Sequence, residues 1–485
     1  MSVCTPRLSS PSGAELNLRS QMLFLDPTNI DANDIVTAVA SWNMRYIHES
    51  SHWARFHGST IGVLLTLLRR TRDVLAAHTL QNLDTQDIVR FSRGWSTGVP
   101  IFDYSDTDPE NRLGTQLSLH QQDWLDLHMA YQILLEPRFL SVPAHSWATR
   151  ESVQSALHII WVQSEEKEML PRLPSERGGP RILGQMSLVA GNEGLLSTRL
   201  LLECAAVLDE VTQQTGTFNR YADPALLRML GKVFDSEYGI PYRFAEYLAG
   251  RELDPITVMA MIDFALNPVV PGLHSREPEV EWQEFHPPSR FISAARAASS
   301  LDIRSFTSWP SAQSVNALHQ EIVHRTGLRM GKVVPTLSSA SSIRECATRV
   351  LHYAQRVPEV TLFYSADLMH ERSKDPSLIS HYGMNFVGPG ALRLVDPEQD
   401  VWSIFPPLRV TEGRYGWPAE DIDIDEATTL LIGSAISSAY DDAVHGLGAP
   451  SLAHLPADEF KTDEQISLFN EELTRAVRLP LSWPM

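Results

Sequence analysis

The chain has 485 residues, a length that allows one large domain or two closely packed ones, and a formal net charge of -19. Hydrophobic residues make up 43% and charged residues 20% of it, which excludes an intrinsically disordered protein and leaves enough apolar side chains for a sizeable core. Acidic residues outnumber basic ones by 59 to 40, and no long run of Lys or Arg interrupts them, so we expect no nucleic-acid partner.

The first half of the chain is predicted to be a series of helices that follows a flexible tail. Residues 1–20 are rich in Ser, Pro and Gly and form the predicted tail. An apolar pattern of helical period covers Ile35–Phe56, with capping residues before it and Gly58 after it as the helix end. A second helical pattern begins at Thr60, and a further strong helix is predicted between the glycines of residues 191–216.

The second half begins at the sharpest boundary in the sequence. Residues 268–290 contain five prolines and clustered charges, which predicts a linker or a long wrapping loop. This segment divides a region over 21–267 from a helical C-terminal region over 291–485, which can still pack with it as one unit. Short strands are predicted at 360–364 and around 401–405. The overall prediction is a mainly α fold with few short strands.

Cysteine usage and the absence of long apolar segments bear on the compartment. Cys4, Cys204 and Cys346 are widely separated and form no C-x-x-C pair, which fits a reducing environment. The N-terminus lacks the apolar core of a signal peptide, and apolar stretches such as 61–68 are far shorter than a membrane span. We therefore expect a cytoplasmic, soluble protein without a membrane partner; no pattern in the sequence specifies its oligomeric state.

One motif in the first long predicted helix carries recognisable chemistry. His48, Glu49 and His52 form the pattern H-E-x-x-H. Histidines four residues apart lie on one face of a helix about one turn apart, so both imidazoles can reach a single metal ion. Glu49 then lies where its carboxylate can accept a proton from a water molecule that the metal activates. The sequence therefore predicts a metal site with Glu49 as a general base.

Residues 46–54, Tyr-Ile-His-Glu-Ser-Ser-His-Trp-Ala, resemble the active-site helix of the zincin metallopeptidases. The resemblance implies zinc as the cofactor, His48 and His52 as two of its ligands and Glu49 as the general base. It also implies that the region over 21–267 is the catalytic one, with a helix-rich zincin-like core.

Glu203 is the leading candidate for a third ligand. On a helix its face neighbours include Leu196, Leu200 and Val207, so its carboxylate lies within a mostly apolar stripe. An unpaired carboxylate is costly to bury, and such groups are normally paired or bound to a metal. The string Glu-Cys-Ala-Ala at 203–206 also resembles the E-x-x-A pattern of the glutamate-type zincins, the gluzincins, and this likeness implies Glu203 as the third zinc ligand.

Other roles for Glu203 and its neighbours stay open. Glu203 can instead form a structural i, i+4 ion pair with Arg199. Glu193 and Glu210 are fallback ligands, and Glu210 can also accept a hydrogen bond from a ligand histidine. His57 lies one residue short of the third histidine of a metzincin pattern, so we expect it at most to line the pocket.

We interpret the chain as a zinc-dependent hydrolase, most simply a gluzincin-like metallopeptidase whose partner is a peptide or protein substrate. Such a peptidase also needs a group that stabilises the oxyanion of a tetrahedral intermediate; Tyr382 or another Tyr or His can serve, and the sequence selects none of them. His370, Glu371 and His381 form a further cluster, which we interpret as a solvated loop because its spacing matches no ligand pattern.

Two alternatives remain. In the first, the protein is a non-catalytic helical interaction or regulatory protein whose H-E-x-x-H motif is structural or degenerate. In the second, Glu49 with His52 and Glu321 with His324 form the paired E-x-x-H motifs of a helical di-iron carboxylate protein.

Overall fold

The computed structural model of the chain describes a series of segments, in which helices predominate. These are residues 8–9, 14–17, 22–25, 35–81, 112–137, 146–165, 179–184, 190–191, 194–218, 235–272, 278–301, 311–331, 353–386 and 408–410, with single positions at 463, 467 and 471. The mainly α fold predicted from the sequence is confirmed. Within these segments, no helix combines the length and the apolar character that a membrane crossing requires.

Short strands precede the first helix. β1 (Leu8–Ser9), β2 (Ala14–Asn17) and β3 (Met22–Leu25) form antiparallel pairs, and β3 also pairs in parallel with the distant strand Leu408–Val410. β1 and β2 lie within residues 1–20, where the sequence predicts a tail. The sheet joins two parts of the chain that are remote in sequence.

Two long helices follow. α1 spans Ile35–His57 and α2 spans Thr60–Gln81. They are separated at Gly58, where a Cβ atom would lie 2.6 Å from a backbone oxygen of the preceding turn. Ser59 then caps α2, because its Oγ accepts a hydrogen bond of 3.2 Å from the backbone nitrogen of Gly62. The steric demand at Gly58 and the cap at Ser59 together end one helix and start the next.

The next three helices complete the surroundings of α1 and α2. α3 (Arg112–Leu135) packs against α2 and α4 (Ser146–Glu165), and α5 (Thr198–Phe218) packs along α1. Ser197 caps α5, because its Oγ accepts a hydrogen bond of 3.2 Å from the backbone nitrogen of Leu200. Leu201, Leu202, Ala205 and Leu208 of α5 belong to the main core.

A shorter pair of helices comes next. α6 spans Ile240–Ala249 and α7 spans Pro255–Leu266. Asp254 starts α7, because its carboxylate accepts a hydrogen bond of 3.0 Å from the backbone nitrogen of Thr257. The residues of α7 from Ile256 onward are all buried, as expected of a helix that is apolar on every side.

The proline-rich segment 268–290 is built into this core where the structure describes it. Its strand Glu279–Glu281 pairs in parallel with the strand Arg181–Leu183. The helices α8 (Trp282–Phe285) and α9 (Pro287–Ala297) follow, and α9 packs against α6 and α7. The interpretation of this segment as a linker or a wrapping loop, and the division of the chain into domains, stay predictions.

The remaining described helices are α10 (Ala312–Thr326), α11 (Tyr353–Lys374) and α12 (Ser377–Ser380). A 3-10 helix over Tyr382–Phe386 packs on α5. α11 includes residues 360–364, so the strand predicted there is wrong. The other strand predicted in this region, around 401–405, lies outside the described residues.

Candidate metal centre

Three side chains from two helices converge at the contact of α1 with α5. The Nε2 atoms of His48 and His52 lie 3.1 Å apart. Oε2 of Glu203 lies 3.4 Å from Nε2 of His48 and 3.2 Å from Nε2 of His52. Three ligand atoms held about 2.0–2.1 Å from a tetrahedral ion are roughly 3.3 Å from one another. The three atoms therefore have the separations of three corners of a tetrahedral metal site.

Helix geometry explains this convergence. His48 and His52 are one turn apart on α1 and face α5, while Glu203 lies on the face of α5 that packs against α1. All three side chains are buried, with Glu203 and His52 at 0% exposure. Neither carboxylate oxygen of Glu203 has a partner in hydrogen-bonding geometry, which is costly for a buried carboxylate unless a charge compensates it. This buried His-His-Glu group can hold a metal ion.

The ionisable side chains of this group strongly affect one another's pKa. Burial lowers the pKa of His48, but the carboxylates of Glu210 and Glu203 outweigh it and raise that pKa well above its ordinary value. At His52 burial prevails over Glu203, and the pKa is lowered. Burial raises the pKa of the Glu203 carboxyl, yet the adjoining His52 and His48 hold that pKa well below its usual range. A metal ion would compete with protons for these side chains, because a ligand nitrogen or carboxylate must be deprotonated to bind it.

Two further charged residues surround the three ligand candidates. Oε1 of Glu210 contacts Nδ1 of His48, the ring nitrogen that faces away from Glu203. Nη2 of Arg199 lies 3.6 Å from Oε1 of Glu203, which is the i, i+4 ion pair predicted as an alternative. Because this pair uses Oε1 and the histidines face Oε2, the arginine contact and a metal contact are compatible. The contact of Glu210 with His48 is compatible with the predicted role as a hydrogen-bond acceptor, and this role stays a prediction.

Glu49 and Tyr238 complete the surroundings. Glu49 follows His48 in α1 and is fully buried. Burial raises the pKa of Tyr238 to about 12, and the negative charges of Glu203 and Glu49 contribute to this shift. Tyr238 lies in a 3-10 helix, Glu237–Gly239, that packs on α5. Sequence reasoning missed this tyrosine, because nothing in its local pattern points to helix α1.

Sequence reasoning also missed a buried polar group beside the three ligand candidates. Ser51 and Arg55 of α1 contact Asp209 of α5, and both members of the ion pair between Arg55 and Asp209 are fully buried. In the sequence, Arg55 and Asp209 are recognisable as charged residues on apolar helices. This pattern does not indicate that they pair with each other.

Other candidates lie elsewhere. His57 is buried, with Nδ1 3.1 Å from Oγ of Ser365, and it is not part of the His-His-Glu group. Nε2 of His381 lies 3.1 Å from the carbonyl oxygen of Ile256, so this histidine is buried rather than part of a solvated loop. Tyr382 is fully buried and its ring contacts that of Phe386. Glu193 lies outside the described residues.

The second E-x-x-H motif lies on the surface of α10. Glu321 forms an ion pair of 2.7 Å with Arg325, and His324 is exposed. Among the residues that the structure describes, the one group with metal-ligand spacing is His48, His52 and Glu203. The paired motifs that a di-iron site requires are therefore not brought together.

Comparisons with known proteins yield no match, whether with protein-family models, with curated proteins or with solved structures.

Proposed function

We propose that the protein is a zinc-dependent hydrolase and, more specifically, a metallopeptidase. The observation that supports it best is the triangle of His48, His52 and Glu203, with sides of 3.1, 3.4 and 3.2 Å. Two imidazole nitrogens and one carboxylate oxygen form the ligand set of many catalytic zinc sites, which leave one position for water or substrate.

The residues around this triangle support a hydrolytic role. When bound, zinc supplies a Lewis acid that activates water and polarises a carbonyl group. Glu49 takes the proton of the attacking water and passes it to the leaving nitrogen of a peptide bond.

A non-catalytic protein is the second candidate, and one observation favours it. Arg199 lies 3.6 Å from Glu203, so the carboxylate has a compensating charge even without a metal. In that case the His-His-Glu group is a buried ion-pair cluster that holds α1 against α5, and the folded protein needs no zinc.

Replacement of Glu49 by Gln tests the hydrolase directly. The amide keeps the size of the side chain but cannot act as the base, so we expect turnover of a peptide substrate to fall by at least about 100-fold. Zinc content should be unchanged, because Glu49 is not a ligand. The matched control is Glu321→Gln, which alters the other E-x-x-H motif at the surface and should leave turnover intact. Substantial activity in the Glu49→Gln variant would reject the assigned role.

A further inference from the structure

A second set of polar residues lies beside the ligand residues on both helices. On α1, Ser51 and Arg55 follow His48 and His52 on the same face, at helical spacings of three and four residues. On α5, Asp209 lies beyond Glu203 on the face that packs against α1. A shift of α1 along α5 would therefore change the contacts of the ligand residues and those of Ser51, Arg55 and Asp209 together.

Asp209 makes a further set of contacts between the two helices. Its Oδ2 accepts a hydrogen bond of 2.8 Å from Oγ of Ser51 and pairs with Nη1 of Arg55. Arg55 and Asp209 are both 0% exposed, so the pair is formed away from water. Breaking such a pair would leave an uncompensated buried charge, which opposes sliding of one helix along the other.

The segment 377–386 also contacts the ion pair of Asp209 and Arg55. Oδ1 of Asp209 accepts a hydrogen bond of 2.8 Å from the backbone nitrogen of Gly383, and Nη2 of Arg55 donates one of 3.0 Å to the carbonyl oxygen of Ser380. A Cβ atom at Gly383 would lie 2.4 Å from the carbonyl oxygen of Asp209, so the close approach requires glycine. The segment 377–386 thus holds both members of the ion pair from outside the two helices.

A metal site tolerates little displacement. Ligand distances at zinc are fixed to within about 0.2 Å, whereas a shift of α1 by a single residue would move its side chains by about 1.5 Å. His48 and His52 lie 3.4 and 3.2 Å from Glu203, and His48 also contacts Glu210, but all of these contacts are made by the ligand histidines themselves. An ion pair that is separate from these histidines can hold the two helices in place before a metal ion binds.

We propose that Asp209 and Arg55 are positioning residues for the metal centre, which fix the register of α1 against α5 so that His48, His52 and Glu203 meet around one ion. This inference rests on the proposed zinc site. It assigns to the buried ion pair a role in metal affinity as well as in stability, and it makes the segment 377–386 part of the metal centre's support.

The chain offers a matched control. Asp263 of α7 is as buried as Asp209 and is held by Arg372, with contacts of 2.7 and 2.5 Å. Arg372 also donates a hydrogen bond of 3.0 Å to the carbonyl oxygen of Gly58, next to the end of α1. This second pair joins α11 to α7 and does not bridge α1 and α5. If the pair of Asp209 and Arg55 contributed only to stability, breaking it and breaking the pair of Asp263 and Arg372 would change the zinc affinity equally.

The test is the zinc dissociation constant of the full chain, measured by competition with a chromophoric chelator, with circular dichroism to confirm folding. Asp209→Asn should weaken zinc binding by about 10- to 100-fold, in the range seen for residues that orient ligands. Asp263→Asn should leave the constant within about twofold of that of the unaltered protein, whatever it does to stability. Should Asp209→Asn fail to fold, Ser51→Ala removes one contact of the same carboxylate and should weaken binding by at least about threefold.

Three results would overturn the inference. Unaltered zinc affinity in a folded Asp209→Asn protein, or in Ser51→Ala where it serves as the substitute, would refute it while leaving the zinc site in place. Equal losses in Asp209→Asn and Asp263→Asn would show that the ion pair acts only through stability. A folded, unaltered protein that binds no zinc would instead refute the proposed function and this inference with it.

Discussion

At the scale of single residues, the two ring nitrogens of His48 have different partners. Nδ1 contacts Glu210, while Nε2 faces His52 and Glu203. A carboxylate that holds the Nδ1 proton leaves the lone pair of Nε2 for a metal ion and keeps the ring in one orientation. Glu210 should therefore contribute to metal affinity without being a ligand.

Glu210→Gln tests this contribution. The amide can still accept a hydrogen bond, but it lacks the charge that favours a strongly donating imidazole, so we expect zinc binding to weaken by about 10-fold. Chelator competition measures the change. Glu371→Gln is the control, because Glu371 is a similarly half-buried helical carboxylate that pairs with Lys374 instead of a histidine. Equal zinc affinities in the two variants would contradict the role of Glu210.

The residues of the candidate site differ in how far the sequence predicts them. His48 and His52 need only the period of an α-helix, and Glu203 is conspicuous as a carboxylate in an apolar stripe. Glu210 was likewise predicted as a hydrogen-bond acceptor. Tyr238 could not be predicted, because its relation to the site depends on how a separate 3-10 helix packs on α5.

At the scale of secondary-structure elements, local composition and packing conflict in α11. Residues 360–364, Val-Thr-Leu-Phe-Tyr, favour a strand by their β-branched and aromatic side chains. Leu362, Ala366 and Met369 are buried, however, and their spacing matches one face of a helix that packs on α1 and α2. Five residues are enough to show a preference for a strand, whereas the helical period becomes visible only over two turns of a helix.

The helices α1 and α5 show the opposite case, in which pattern and structure agree. The predicted helix Ile35–Phe56 is observed as Ile35–His57, and the predicted end at Gly58 coincides with a position that has no room for a side chain. Their agreement reflects strong periodicity together with clear end signals. Their register, in contrast, depends on the contacts of Asp209, and pairings so distant in the chain have no local signature.

At the scale of the whole molecule, the proline-rich segment 268–290 contributes buried groups to the core. His286 lies between α8 and α9, stacks on Trp282 and is 1% exposed. Burial lowers its pKa to about 3. Proline density predicted a break in the helical pattern, but it could not show that the break would be covered by other elements, because coverage depends on tertiary packing.

This histidine predicts a dependence of stability on pH. His286 is neutral in the folded protein and titrates near its ordinary pKa of about 6.5 when unfolded, so protonation favours the unfolded state below that pH. The stability it contributes is present above pH 6.5 and is lost as the pH falls towards its folded pKa of about 3. Between pH 7.5 and 5.5 the expected loss from this one group is about 1.4 kcal/mol.

Urea unfolding at these two pH values, with a chelator present so that metal binding does not contribute, measures the loss. His286→Asn should reduce the difference between the two unfolding free energies by about 1.4 kcal/mol. The control is His324→Asn, which replaces an exposed histidine of α10 and should leave the difference unchanged. A His286→Asn protein with the full pH dependence would show that His286 does not carry this linkage.

Zinc content decides whether the convergence of α1 and α5 forms a metal centre. The full chain is dialysed against zinc and then against metal-free buffer, and its zinc is counted by inductively coupled plasma mass spectrometry beside that of a folded His52→Asn variant. We expect about one zinc per unaltered chain and less than about a tenth of that in the variant, because two remaining ligands hold zinc weakly. A folded, unaltered chain without zinc, or equal zinc in both proteins, would contradict a metal centre at His48, His52 and Glu203.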